Sequence, residues 1–296
     1  MARLTPPALR GPRRIRVAWA ILAVAVAGCT QPAGQGEGPG HRAQRLALTP
    51  EQELKLGEEG YREVLGKSRV LPASSQEGRL VRSVGERIER AVRIEPLRRE
   101  INLHVDEKYL QWEFSVIQKE AINAFCMPGG KVAVFTGLLP VTQNEDQLAT
   151  VMGHEIAHAL AHHASERMAR QESEERRLRI LSVGLGGLSE QDRKRVLGVL
   201  AAGAQIGSLS YDRKQESEAD HIGLFLMTFA GYDPDQAIVF WERMEQATAK
   251  SGRPPEILSD HPSDARRIAQ IRQWSQQAKD GLRAYKEGRI APPPGR

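Results

Sequence analysis

The sequence predicts an α+β fold, mostly helical with one small antiparallel sheet, and the evidence is a change of period along the chain. Alternation of apolar and polar residues is confined to residues 101–136, and the chain beyond Gly137 carries helical spacing and capping residues. Size is the third observation. A chain of 296 residues with 40% hydrophobic and 27% charged content suits a large globular unit with a buried core.

In chain order, Thr49-Pro50-Glu51-Gln52 opens the first helix, with Thr49 as cap, Pro50 at the first helical position and Gln52 closing a capping box. A second helix covers residues 76–92, with Leu80, Val84, Ile88 and Ala91 on one face. Ile101-Leu103-Val105, Phe114-Val116 and Lys131–Phe135 read as strands of a sheet of three or four, with Pro128-Gly129-Gly130 turning into the last. Asn144 caps a helix running to about Met168. Another covers about Asp212 to Phe229, a further one starts at Asp233-Pro234-Asp235-Gln236, and the last spans about Ser263 to Tyr285. Between them, residues 172–205 suggest a helical hairpin or a mobile flap. The domain is expected at 48–286, with a frayed tail at 287–296.

The first 28 residues read as an export signal. A basic stretch ends at Arg16, and an apolar run from Val17 to Ala27 has the length of a signal peptide's core. Val26-Ala27-Gly28-Cys29 then resembles a bacterial lipoprotein site, with Cys29 as the lipidated residue; the alternative is an ordinary secretory signal. Residues 29–47, rich in Gly, Pro and Gln, read as a flexible tether. The formal charge of +5 belongs to this leader, because removing its five arginines from the 42 basic residues leaves 37 against 37 acidic ones. No basic footprint for nucleic acid remains. Cys126, the second of two cysteines, would have no disulfide partner beside a lipidated Cys29, and its apolar surroundings suggest buried filler.

Chemistry concentrates in Val151-Met152-Gly153-His154-Glu155-Ile156-Ala157-His158. His154 and His158, four apart, stack on one helix face and can share a metal. Glu155 lies roughly 100° round the helix, within reach of a water but not as a ligand. Neutral imidazoles suit zinc, which lowers a water's pKa towards ~7, and the carboxylate takes the proton as that water attacks a peptide carbonyl. The alternative is a surface helix with solvated histidines. Leu148, Val151, Ile156 and Ala159 argue against it by giving the helix an apolar side. A catalytic zinc wants a third ligand, and Glu216-Ser217-Glu218-Ala219-Asp220 offers one. Glu216 would bind the metal, Asp220 one turn on would fix the tautomer of a ligand imidazole, and Glu218 would face solvent. Acids at a helix start that merely complement its dipole are the competing explanation. His221 is a weaker candidate ligand.

These motifs resemble the HtpX-like and CAAX-prenyl-protease-type zinc metalloendopeptidases, and most closely their soluble envelope-lipoprotein branch of LoiP-like and BepA-like proteins. The resemblance is carried by Asn123–Gly130 with Thr136-Gly137-Leu138, Asn144–Leu148 leading into Gly153–His158, Arg213–Asp220 with Gly223, and Asp260-His261-Pro262-Ser263 with Arg267. It implies a zincin-like (gluzincin) domain holding one Zn2+ through His154, His158 and Glu216. It implies that Gly130, Lys131, Val132, Ala133 and Val134, continuing to Phe135, form an edge strand beside the cleft that pairs with substrate. His261 would gate the metal or help hold an oxyanion, unless it is only a cap before the last helix, and Arg267 would stabilise the transition state. The expected role is quality control, cleaving unfolded or misassembled proteins. The expected place is the bacterial envelope, with the membrane reached through the lipid alone and outer-membrane assembly machinery as a partner. Thr30 after Cys29 points to the outer membrane by the same resemblance. The multiple membrane helices and C-terminal helical repeats of some relatives are not evident. A non-proteolytic assembly factor with structural zinc is the competing reading.

Overall fold

The computed structural model describes residues 43–171, 173, 212–251, 255–261 and 266–289. The proposed leader, Cys29, most of the tether, the segment 174–205 and the end of the tail lie outside the described residues. Residues 44 and 47, expected within the tether, are packed on the domain. Gln44 is buried and donates through Nε2 to the Ala161 carbonyl, while the Ala47 and Leu48 amides donate to Ser165 Oγ, so packing begins before residue 48.

Helices α1 (Pro50–Gly66) and α2 (Gln76–Val92) start where their caps are written: Thr49 forms the capping box with Gln52, and Ser75 accepts from the Gly78 amide. The expected strand over 101–105 is instead the end of a short helix, α3 (Glu95–Glu100), and a loop. Asn102 takes a left-handed φ of 48°, which breaks the extension, while Ile101 and Leu103 both still turn inward. Their alternation therefore reflects burial on either side of a turn.

The sheet has three strands, β1 (Glu113–Ile117), β2 (Ala124–Met127) and β3 (Lys131–Phe135), in the order β1-β3-β2. It is mixed rather than purely antiparallel: β1 runs parallel to β3, and β2 antiparallel to it. Gly129 and Gly130, at φ 84° and 82°, make the β2–β3 turn. The segment expected as the edge is thus the central strand, with both of its hydrogen-bonding sides taken, so residues 130–135 cannot accept a further chain. Burial on both faces explains this: Val132 and Val134 join the main core, Ala133 and Phe135 pack with Tyr61 of α1, and Lys131 is buried against Glu113. A near-continuous apolar run marks such a strand. Among the described residues the edge of the sheet beside the motif helix is β2, which sequence periodicity had not separated.

Helix α4 (Leu139–Thr142) leads to α5 (Glu145–Leu160), capped by Asn144 and buried along nearly its whole length. The helix does not run on to Met168. It breaks at 161–162, where His162 has φ 56°, and helical structure resumes over 163–171. Helix α6 (Arg213–Phe229) carries the Asp212–Gln215 capping box. Helices α7 (Asp235–Ser251), α8 (Glu256–Asp260) and α9 (Arg267–Lys286) complete the described chain. None of the described helices is long and apolar enough to cross a membrane.

The broadest helix contact joins α5 to α6. At its centre two glycines let the backbones touch: a Cβ on Gly153 would lie 2.9 Å from the Gly223 carbonyl oxygen, and a Cβ on Gly223 would lie 2.8 Å from the His154 nitrogen. Overpacking there costs about 1–3 kcal/mol, more than the roughly 1 kcal/mol that alanine gains over glycine in helix propensity. Gly223→Ala should therefore lower the melting temperature of the metal-free protein and weaken its zinc binding, as read by thermal denaturation and chelator competition. An unchanged or raised melting temperature would show that the crossing has slack.

Candidate metal centre

Helix α5 presents His154 and His158 one turn apart, α6 presents Glu216, and the residue that ends α8 presents His261; all four side chains are buried. His154 Nε2 lies 3.0 Å from His158 Nε2 and 3.2 Å from His261 Nδ1. Glu216 Oε1 lies 2.9 Å from His261 Nδ1 and 3.3 Å from His158 Nε2, and its Oε2 lies 3.4 Å from His154 Nε2. Tetrahedral zinc with bonds of ~2.0–2.1 Å sets ligand-to-ligand edges of about 3.3 Å. The cluster matches those edges. Imidazole nitrogens this close in a dry interior need a proton or a cation between them, so the residues present fit a divalent metal ion. His261 takes the fourth corner, the one that a catalytic centre leaves open to water or substrate.

The electrostatics agree. Burial alone would lower His154, but the Asp220 and Glu216 carboxylates outweigh it and raise its pKa from 6.5 to about 9. His158 is lowered well below the usual range, by burial and by the nearby His154 and His163. Burial would raise Glu216, yet its contacts with His154, His158 and His261 hold it well below the ordinary carboxylate range. The carboxylates around His154 thus favour one proton on it in the metal-free centre.

A second layer holds the first. Asp220 Oδ1 lies 2.9 Å from His154 Nδ1, on the side away from the cluster. Arg267 donates through Nη2 to the same oxygen at 2.7 Å, lies 3.8 Å from Glu216 Oε2 and stacks 3.5 Å above the Trp241 ring. Arg267 is buried among ligand-side carboxylates, a geometry that anchors them. Glu218, expected in solvent, is buried instead, with Oε2 2.9 Å from His163 Nε2. His163 itself escaped the sequence reading. On an unbroken helix it would lie roughly 140° from His158, but the break at 161–162 brings it back behind that residue. His221 packs against the Phe225 and Trp274 rings, outside the cluster.

Glu155 is buried beside the cluster, with Oε1 3.4 Å from His261 Nε2. The Cys126 thiol is pushed up by burial and by the charge of Glu155, which leaves it a poor nucleophile, and β2 packs on the helix that carries that glutamate.

A mostly helical domain with this buried His-Glu-x-x-His helix and a glutamate from a second helix defines the class of metal-dependent peptidases. The chain belongs to peptidase family M48, whose sequence model matches residues 86–275. It is similar to the mitochondrial metalloendopeptidase OMA1 of Schizosaccharomyces pombe, 40% identical over 172 residues covering 57% of this chain and 48% of that one. It is also similar to the beta-barrel assembly-enhancing protease of Escherichia coli K12, 34% identical over 182 residues covering 60% of this chain and 37% of the relative. The metalloendopeptidase OMA1 of Bos taurus is 36% identical over 167 residues, 55% of this chain and 32% of its own. The chain spans less than half the length of each of these relatives.

A pH test arises from His154. Its raised pKa stabilises the metal-free fold fully below pH 6.5, and that contribution is lost as pH rises through about 9. Metal displaces the proton, so the rise in melting temperature on adding zinc should grow between pH 6.5 and 9. A constant zinc-induced rise across that window would refute the single-proton account.

Proposed function

We propose that this chain is a zinc-dependent endopeptidase of the bacterial cell envelope that cleaves unfolded or misassembled proteins, with Glu155 as general base. The observation that carries this reading is Glu155 itself, a buried carboxylate next to a metal-ligating histidine, for which a structural zinc site has no use. Bound zinc would supply Lewis acidity that makes a water reactive near neutral pH. Glu155 then takes the proton of the attacking water and returns it to the leaving amine. Catalysis also needs the fourth corner vacated. His261 caps the five-residue α8, so a shift of that short helix would withdraw it and admit substrate.

The substrate strand of this reading moves to β2. Phe135 donates to the Asn123 carbonyl, so by antiparallel alternation Phe125 and Met127 pair with β3 while Ala124 and Cys126 direct their backbone groups outward. An extended peptide adding there would lie beside Glu155 and be held chiefly by main-chain bonds, which tolerates many sequences.

The envelope location rests on the leader, with residues 1–28 as signal peptide and lipid on Cys29 placing the domain at the outer membrane facing the periplasm. Similarity to a beta-barrel assembly-enhancing protease supports assembly machinery as a partner, while the OMA1 relatives are mitochondrial, so the compartment rests on the leader. The closed four-donor cluster favours a second reading, a non-proteolytic assembly factor, and the two separate experimentally. Glu155→Gln should retain zinc while cleavage of casein or a denatured outer-membrane protein falls by roughly two to four orders of magnitude; cleavage that survives the change would sink the mechanism. His261→Ala should raise turnover with zinc still bound. A sharp loss of zinc instead would make His261 an ordinary fourth ligand and support the structural reading.

A further inference from the structure

Three acidic residues of α6, Glu216, Glu218 and Asp220, are buried two positions apart. Glu216 faces the metal centre and Asp220 backs His154 directly. His158, the ligand nearer the end of α5, has a histidine behind it instead. His163 is fully buried, with Nδ1 2.8 Å from His158 Nδ1 and Nε2 2.9 Å from Glu218 Oε2. We infer that His163 and Glu218 are positioning residues that relay a fixed hydrogen-bond direction to His158 and so present its Nε2 lone pair to the metal.

The directionality comes from donor counting. A carboxylate only accepts, so His163 Nε2 carries the hydrogen. Neutral imidazole has one N–H, so His163 Nδ1 is bare and must accept. The His158 Nδ1 opposite then donates, which leaves His158 Nε2 bare, on the side where it lies 3.0 Å from His154 Nε2 and 3.3 Å from Glu216 Oε1. With both imidazoles neutral, each link admits one sense only. Metal-ligating histidines are commonly oriented by a carboxylate on the second nitrogen. Here the α5 break inserts an imidazole between carboxylate and ligand, so the left-handed His162 at φ 56° also shapes the centre from outside it. The inference rests on His158 being a metal ligand.

The test uses the full-length protein loaded with zinc. Long-range proton–nitrogen correlation spectra of its histidines should show His158 protonated on Nδ1, and His163 protonated on Nε2 with a bare Nδ1. A protonated His163 Nδ1 overturns the relay. In chelator competition, His163→Leu should weaken zinc binding by about 10–100-fold. His163→Gln, whose amide both accepts and donates, should recover most of that loss. A role as mere packing predicts the opposite order, because leucine fills an apolar space better. Should His163→Leu strand the Glu218 charge and fail to fold, the pair His163→Leu with Glu218→Met removes both polar groups, and its zinc affinity decides the matter: wild-type affinity refutes the inference. Wild-type protein that binds no zinc would sink the metal reading itself, an outcome distinct from equal binding by wild type and variants.

Discussion

The contact of α5 with α6 at Gly153 and Gly223 is the constraint on which the centre depends. Two metal-bearing helices must bring imidazoles and a carboxylate within about 3 Å of each other, and side chains at the crossing would hold the axes too far apart for that. Glycine gives up helix propensity at both positions, and the apolar burial around them offsets the cost: Met152, Ile156, Ala219, Ile222, Leu226 and Met227 all lie in the same core.

That proximity forces an electrostatic solution. Carboxylates, imidazoles and a guanidinium are withdrawn from water within a few ångströms of one another, and isolated charges at this depth would be untenable. The chain resolves it by chaining opposite groups: Arg267 to Asp220 to His154, and Glu218 to His163 to His158, with Glu216 between. Such networks are costly when partly satisfied and rigid when complete. A cation at the centre would relieve the four inward-facing donors, and metal affinity and stability of the fold would then be coupled.

Much of this was legible in the sequence because it is local. The caps at Thr49, Asn144 and Asp212 act over three residues, and the His154–His158 pair needs only the helical repeat. The features that were not legible depend on distant neighbours. The place of β3 inside the sheet depends on α1 covering its second face. The burial of Glu218 depends on the chain reversing at His162, and helical projection of Asp212–Phe229 alone turns that residue outward. The alternation at 101–105 misled because a left-handed asparagine can keep two apolar residues inward without a strand.

The shortness of β2 carries a consequence for any peptide that pairs with it. Of the outward groups on Ala124 and Cys126, the Ala124 amide is already held by Asn123 Oδ1, which leaves two carbonyls and one amide. At about 0.5–1.5 kcal/mol per bond, three bonds alone correspond to dissociation constants in the millimolar range or weaker. Capture by this edge would be brief, and a chain would be cut in proportion to how often it is presented. Confinement beside its substrates, which raises their effective concentration, would then set the working rate more than affinity does.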